Sequence, residues 1–413
     1  MNVSPRRAWA ALAVMSFAAF AFITTELLPI GLLTVIAPDL DRSRAQVGLL
    51  VSGYAVVVAL ASVPLTRLTR RVPRRHLLTV TMVLFAAANA VAALATTYPV
   101  LAGARLVTAL AQALFWSVAT ATVTGPFPAA LRGRAVAMFS TGAALAPVVG
   151  VPLGTWLGQQ AGWRAAFWAL VAVGLAVAVA VAVLIPTYPP AAGGAARGSA
   201  PDRRRFAVLL VATAMAVNGF LILQTYVTPF LLDVGGFTEA VLAPLLFVSG
   251  AAGVAGTVAV GRALDRRPVG SLLVPGGVGA AALLGLTAFG TVQPAVVVLL
   301  AGTGLGYAAF ATAVQNRTLH LAPDSTDAAA AGVSTAFNAG IAAGSLLGAA
   351  VLSGPGPRLL GLAGGLLTLA AVGLLAVDTR RSDTAARGAG PSGPTGDPGG
   401  VRPVRRDRAG RTS

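Results

Sequence analysis

The sequence predicts an all-α polytopic membrane protein, with twelve transmembrane helices in two pseudo-symmetric six-helix bundles. Three observations predict it. Hydrophobic residues make up 56% of the 413-residue chain and charged residues only 10%. Apolar stretches of about 18 to 25 residues, each long enough to cross ~30 Å of hydrocarbon, recur from end to end. They divide evenly about a segment rich in Pro, Gly, Ala and Arg that follows Pro186, a composition typical of a linker.

The first six stretches begin near Trp9, Gln46, Leu77, Val100, Ala135 and Ala165. The next six begin near Phe206, Ala240, Val269, Ala295, Ala328 and Leu359. Residues 1–186 then form an N-terminal bundle, 187–205 a cytoplasmic linker, 206–377 a C-terminal bundle and 378–413 a tail. The first stretch is too long for a cleaved signal peptide and is read as retained. The tail is rich in Gly, Pro and Arg without apolar periodicity, which predicts disorder. Its arginines could contact anionic membrane lipid, but a solvated, expendable tail is the stronger expectation.

The halves echo one another. Thr25 and Pro29 recur as Thr225 and Pro229, and Leu101, Ala102 and Gly103 as Leu300, Ala301 and Gly302. Phe139, Gly142, Ala144 and Gly150 recur as Phe337, Gly340, Ala342 and Gly348. Parallel six-helix repeats are the mark of a transporter whose halves rock about a site near the bilayer midplane.

Orientation follows from arginine, because the chain has no lysine. One side of the membrane collects Arg6, Arg7, the run from Arg67 to Arg75, Arg132, Arg134, Arg197, Arg203 to Arg205, Arg262, Arg266, Arg267 and Arg317. The other receives only Arg42, Arg44, Arg164 and Arg358. By the positive-inside rule both termini are cytoplasmic, in a bacterial-type inner membrane. The net charge of +17 thus reports topology, and nucleic acid is not an expected partner because the basic residues are spread over short loops. The absence of Cys excludes disulfide, thiolate and iron–sulfur chemistry. His76 and His320 fall in or beside loops, and no metal-ligand cluster or Ser/His pair stands at membrane depth, so neither an enzyme nor a metal site is expected.

Glu26 is the one carboxylate set well inside an apolar stretch. An acidic residue at the centre of a membrane helix costs roughly 2.5 to 3.5 kcal/mol, which makes it a functional residue by default. Burial favours the protonated form of a carboxylic acid, so such a group takes and releases protons near neutral pH. Its depth from the outer end is about 15 Å. The competing reading is a carboxylate that bonds backbone groups freed by Pro29. Arg105, the only basic residue set inside a stretch, enters from the same side and could pair with Glu26, either to couple protons or as a packing seam. Gln112 and Trp116 follow it at helical spacing.

Polar groups in the second half are uncharged: Asn218, Gln224, Thr225 and Tyr226, then Tyr307, then Asn338. Thr25, Gln112, Trp116, Asn218, Gln224, Tyr226, Tyr307 and Asn338 are therefore the candidate substrate cavity, though for each an interhelical hydrogen bond is an equal alternative. Gly142, Pro147, Gly150 and Gly154 in the fifth helix remove bulk and a backbone donor, as a hinge and seal would need, or simply as close packing would. Asp265, beside Arg266, can cap a helix or pair across the halves in one conformation.

Three stretches carry a resemblance. The first-helix run Thr24-Thr25-Glu26-Leu27-Leu28-Pro29, the loop from Gly261 to Asp265 and Arg266, and the fifth-helix run from Gly142 to Gly154 together resemble the major facilitator superfamily. Within it they are similar to the drug:proton antiporters of the sugar-efflux and chloramphenicol-resistance branch. Two departures stand out: Arg70 occupies the place of the acidic residue in the loop after the second helix, and Ala146 precedes Pro147 where the stricter motif has Gly. The resemblance implies the major facilitator fold and proton-driven efflux of small drug-like or sugar-like molecules. Glu26 and Arg105 would couple protons, while Gly142, Pro147, Gly150, Gly154, Gly261, Asp265 and Arg266 would gate. The expected partners are a small-molecule substrate, protons and lipid, in a monomer with no cofactor beyond the proton gradient. An importer on the same fold, or a membrane sensor, are the alternatives.

Overall fold

The computed structural model describes residues 5–69, 72–185, 201–264, 269–323 and 326–388. Among them all regular structure is helical. The first four spans are α1 (Pro5–Asp39), α2 (Arg44–Thr69), α3 (Arg74–Ala93) and α4 (Tyr98–Thr124). The fifth is composite: α5 (Ala129–Leu145), a π-helical turn at Ala146–Gly150, and α6 (Val151–Ala161). After Gly162, whose φ of 82° turns the chain, α7 (Trp163–Leu184) closes the N-terminal half. The C-terminal half comprises α8 (Arg203–Gln224), the short α9 (Val227–Asp233), α10 (Leu242–Ala263), α11 (Gly270–Phe289), α12 (Gln293–Leu321), α13 (Thr326–Ser353) and α14 (Leu360–Gly388). Twelve of the resulting spans are long and apolar enough to cross a membrane.

The repeat in the sequence reappears as a repeat in packing. In the N-terminal half α1 lies on α5 and the π turn, α3 on α4 and α7, and α2 on α4. In the C-terminal half α8 lies on α13, α11 on α12 and α14, and α10 on α12. Each first helix is seated by glycines at four- or eight-residue spacing. A Cβ at Gly142 would fall 1.9 Å from the Ser16 carbonyl oxygen, and one at Gly150 would strike the Thr24 side chain. Gly340 and Gly348 face the backbone of Ala214 and Ile222 in the same way. Helices this close gain dispersion contacts that lipid cannot supply, which is the main source of cohesion inside a membrane.

Four boundaries differ from the sequence-based expectation. The helix α1 continues through Pro38, which places Glu26 about 20 Å from its C-terminal end, against the expected depth of about 15 Å. Arg203, at the end of the expected linker, opens α8, with the Asp202 carboxylate capping the Arg205 N–H at 3.0 Å. Arg317 is helical in α12, not in a loop. The last helix runs on to Gly388, so Asp378 lies within it, 3.8 Å from Arg204 and 3.7 Å from Arg205. The rest of the tail, most of the linker, and Asp265 and Arg266 lie outside the described residues.

Hydrogen bonds between the halves gather, among the described residues, toward the end that carries Asp39 and Arg44. Arg44 pairs with Asp233 at 2.5 Å, and Gln159 donates to the Glu239 carbonyl at 2.8 Å. Deeper, Thr228 donates to the Ile30 carbonyl at 3.2 Å, and Ser52 bonds both the Ser345 hydroxyl and the Ala342 carbonyl. The surfaces of α2 and α13 are therefore held together at this distal end.

Candidate functional site

The site begins with a proline. Pro29 has no N–H, so the carbonyl of Thr25, four residues earlier, loses its partner inside α1. Arg105 of α4 supplies the missing donors. Its guanidinium, only 1% exposed, donates to the Thr25 carbonyl, to the Glu26 carbonyl at 2.9 Å and to the Thr25 hydroxyl at 3.1 Å. The Thr25 hydroxyl in turn donates to Asn89 Oδ1 at 3.0 Å, and the Asn89 amide donates to the Phe85 carbonyl at 2.8 Å. With its carbonyls satisfied from outside, α1 runs unbroken through the proline.

Glu26 therefore does not serve the freed backbone. Those groups are carbonyls, and an ionised carboxylate has no proton to give them. Nor does Glu26 form a direct ion pair with Arg105, whose Nη1 and Nη2 groups donate to the α1 carbonyls and the Thr25 hydroxyl. The carboxylate is met instead by Gln112, whose amide donates to it at 2.6 Å. The carbonyl of the same amide accepts from the Tyr54 hydroxyl at 2.8 Å. The Tyr54 ring lies under the Arg105 guanidinium at 4.5 Å, a contact worth about 2 kcal/mol when desolvated. All four side chains are buried. A single acid thus sits beside a fixed positive charge and at the end of a directed chain of hydrogen bonds, an arrangement that keeps an ionisable group in an apolar interior.

The other expected site residues divide into three groups. Thr25, Gln112 and Arg105 are brought together with Glu26 as described. Across the interface Tyr307 lies within electrostatic reach of Glu26 and packs edge-on against Phe220 at 5.4 Å. Trp116 packs against Phe139 at 5.5 Å. Asn218 is on α8, with its Oδ1 buried and unpartnered among the described residues, while Asn338 donates to the Ser334 carbonyl one turn back in α13. Gln224 is half-buried at the end of α8. Tyr226 departs from expectation: its ring is wedged against Gly48 and Gly348, and its hydroxyl bonds the carbonyls of Ser345 and Ala45. It seals the halves at the distal end instead of lining a cavity beside Glu26.

The gating candidates also separate. Gly142, Gly150 and Gly154 form the seam with α1, and the carbonyl of Pro147 at the π turn is approached by Gly250 of α10, so this bend carries a contact between halves. Gly261 faces open space. Sequence reasoning missed Tyr54 and Asn89. Asn89 carried a signal, being the only asparagine in the first six spans. No group of three or more His, Asp or Glu residues among the described residues is placed to hold a metal.

A family model for the Major Facilitator Superfamily matches residues 12–332. The chain belongs to that superfamily. It is a transporter and not an enzyme. A relative from Helicobacter pylori (strain G27), named "Probable sugar efflux transporter", is 32% identical over 362 residues, which cover 87% of this chain and 92% of the relative. The fold matches the inward-facing, unoccupied crystal structure of a bacterial homologue of the human lysosomal transporter Spinster, with a TM-score of 0.66 at 18% identity, covering 93% of this chain and 98% of that one. It also matches the human organic anion transporter MFSD10 (TETRAN), with a TM-score of 0.66 at 17% identity, covering 90% and 100%.

Proposed function

We propose that this superfamily member exports a small neutral or weakly polar solute, sugar-like or drug-like, in exchange for protons taken up through Glu26. The observation that carries the reading is the environment of that carboxylate: buried at mid-depth, bonded by Gln112, and beside an Arg105 charge already committed to the α1 backbone. The fixed guanidinium keeps the ionised acid tolerable in the bilayer. The absence of a direct ion pair leaves the acid free to take a proton without first breaking one. The name of the Helicobacter pylori relative supports efflux and a sugar-like cargo. Buried polar atoms without partners among the described residues, Thr24 Oγ1 and Arg105 Nε in one half and Asn218 Oδ1 and Thr225 Oγ1 in the other, suit a hydroxyl-bearing solute.

Arginine placement supports an inner-membrane protein with both termini on the cytoplasmic side. The distal contacts of Ser52, Tyr226, Thr228 and Arg44 then close the outer side. Export requires that closure to open while Glu26 is exposed to the more acidic side, where it is protonated as substrate leaves. Protonation changes the charge of the midplane and so the relative stability of the two states.

The test is proton movement in everted vesicles containing the protein, challenged with pentoses, thiogalactosides and chloramphenicol. Wild type is expected to give a substrate-dependent pH change that Glu26→Gln abolishes, with normal expression. Undiminished pH-driven flux in that variant would sink the assignment.

A further inference from the structure

We propose that Tyr54 is a positioning residue of the proton site, holding the Gln112 amide in the orientation that donates to Glu26. The inference rests on the reading of Glu26 as the proton carrier. A carboxamide has two faces, a carbonyl and an NH2, and either could point at a carboxyl group. The Tyr54 hydroxyl, a stronger donor than acceptor, favours the carbonyl face on its side. It is fully buried, and its proton goes to Gln112 Oε1 at 2.8 Å, which turns the amide nitrogen toward Glu26 Oε2 at 2.6 Å.

Every donor in that chain points toward the acid. Phenol gives to amide, amide gives to carboxylate, and bonds aligned in this way strengthen one another in a low-dielectric interior. The chain therefore favours the ionised form of Glu26 over the protonated form, which could accept the same bond only through its carbonyl oxygen. The ring of Tyr54 has a separate task, lying 4.5 Å from the Arg105 guanidinium. Hydroxyl and ring can thus be separated by mutation. The titratable groups that face Glu26 are Arg105 on α4, Tyr54 on α2 and Tyr307 on α12. At this depth α5, α6, α7, α9 and α10 carry none.

Position makes the residue consequential. Ser52, two residues earlier on α2, bonds Ser345 and the Ala342 carbonyl across the halves. The helix that orients the proton site is the one that meets α13 at the distal closure.

The experiment is the pH dependence of substrate-driven proton exchange in everted vesicles for wild type, Tyr54→Phe, Gln112→Leu, the double variant and Glu26→Gln. Tyr54→Phe keeps the ring over Arg105 and removes only the donor. It is expected to raise the pH midpoint of exchange by about 0.5 to 1 unit, the worth of one hydrogen bond. Gln112→Leu should shift it at least as far, and the double variant no further than Gln112→Leu alone. A second probe spares the fold: full replacement of tyrosine by 3-fluorotyrosine, a stronger donor, should lower the midpoint of wild type. An unchanged midpoint in both Tyr54→Phe and the fluorinated protein, with Glu26→Gln inactive, overturns the role of Tyr54 alone. Shifts that add in the double variant overturn the route through Gln112. Exchange that survives Glu26→Gln overturns both this inference and the proton-carrier reading beneath it.

Discussion

Thr25 and Thr225 each stand four residues before a proline, in helices that begin the two halves, yet the two helices differ. The first, α1, passes through Pro29 without interruption, whereas the chain breaks between α8 and α9 ahead of Pro229. The difference lies in the fourth helix of each half. In the register that matches Leu101 to Leu300, Arg105 corresponds to Gly304. Arg105 reaches the Thr25 carbonyl that Pro29 frees, while Gly304 offers no donor and instead lets α10 come close, with a Cβ there falling 2.1 Å from the Ser249 carbonyl oxygen. The residue after each threonine follows the same division. Glu26 is held as a buried acid by Gln112, and Tyr226 becomes a wedge between the halves. One scaffold, used twice, places a charge in one copy and a mechanical seal in the other. In α1 a neighbour satisfies the carbonyl that the proline leaves unpaired, and the helix runs on.

Removing the arginine should have the largest effect. Arg105→Ala leaves the buried Thr25 carbonyl without a donor, at about 1 to 3 kcal/mol, and strips the counter-charge from Glu26. Transport is expected to fall by at least about 100-fold. Hydrogen exchange should quicken in the amides between Leu27 and Leu32, so that α1 comes to behave as the α8–α9 junction does. Protection of α1 at wild-type levels would refute the account of Pro29. Arg105→Lys keeps the charge but not the fork, and should recover only part of the flux.

The glycine seams distinguish the halves by a smaller margin. A methyl group at Gly142 would lie 1.9 Å from the Ser16 carbonyl oxygen, against 2.7 Å between Gly340 and the Ala214 carbonyl oxygen. Overpacking costs about 1 to 3 kcal/mol, offset by up to ~1 kcal/mol of helix propensity. Gly142→Ala should therefore lower the melting temperature in detergent clearly, and Gly340→Ala only slightly. Equal losses would mean that the two seams yield alike.

These contrasts show what the sequence could carry. Twelve spans were legible because hydropathy is a local property, and the halves were legible because Pro29, Gly142 and their counterparts recur at nearly equal offsets of 200 and 198 residues. Glu26 and Arg105 declared themselves as charges among apolar neighbours. Their relation did not, since spacing along α4 says which face Arg105 occupies and not which atoms of α1 it meets. The clue was present in Pro29, which frees the Thr25 carbonyl wherever it sits in a helix. Tyr54 was hidden because a tyrosine on an apolar helix reads as an aromatic filler until its hydroxyl is seen to meet Gln112. Tyr226 was misplaced for a related reason: its partners Ala45 and Ser345 lie on α2 and α13, far away in sequence, and periodicity carries no information about contacts between halves.

The closure between the halves should give the smallest effects, and these grade by burial. The Tyr226 hydroxyl is fully enclosed, bonded to the Ser345 carbonyl at 2.9 Å. Tyr226→Phe deletes that bond and should bias the molecule toward opening at the distal end by about 0.5 to 1.5 kcal/mol. Arg44 and Asp233 are 39% and 41% exposed, and an ion pair so open to water and salt is worth about 0.2 to 1 kcal/mol. Asp233→Asn should therefore change the open-to-closed ratio by less than about fivefold, and the change should vanish in high salt. Double electron–electron resonance between spin labels on α2 and α13 reads both ratios directly. If Asp233→Asn opens the distal end further than Tyr226→Phe does, the exposed pair and not the buried wedge holds the halves shut, and the division of labour between Glu26 and Tyr226 loses its mechanical side.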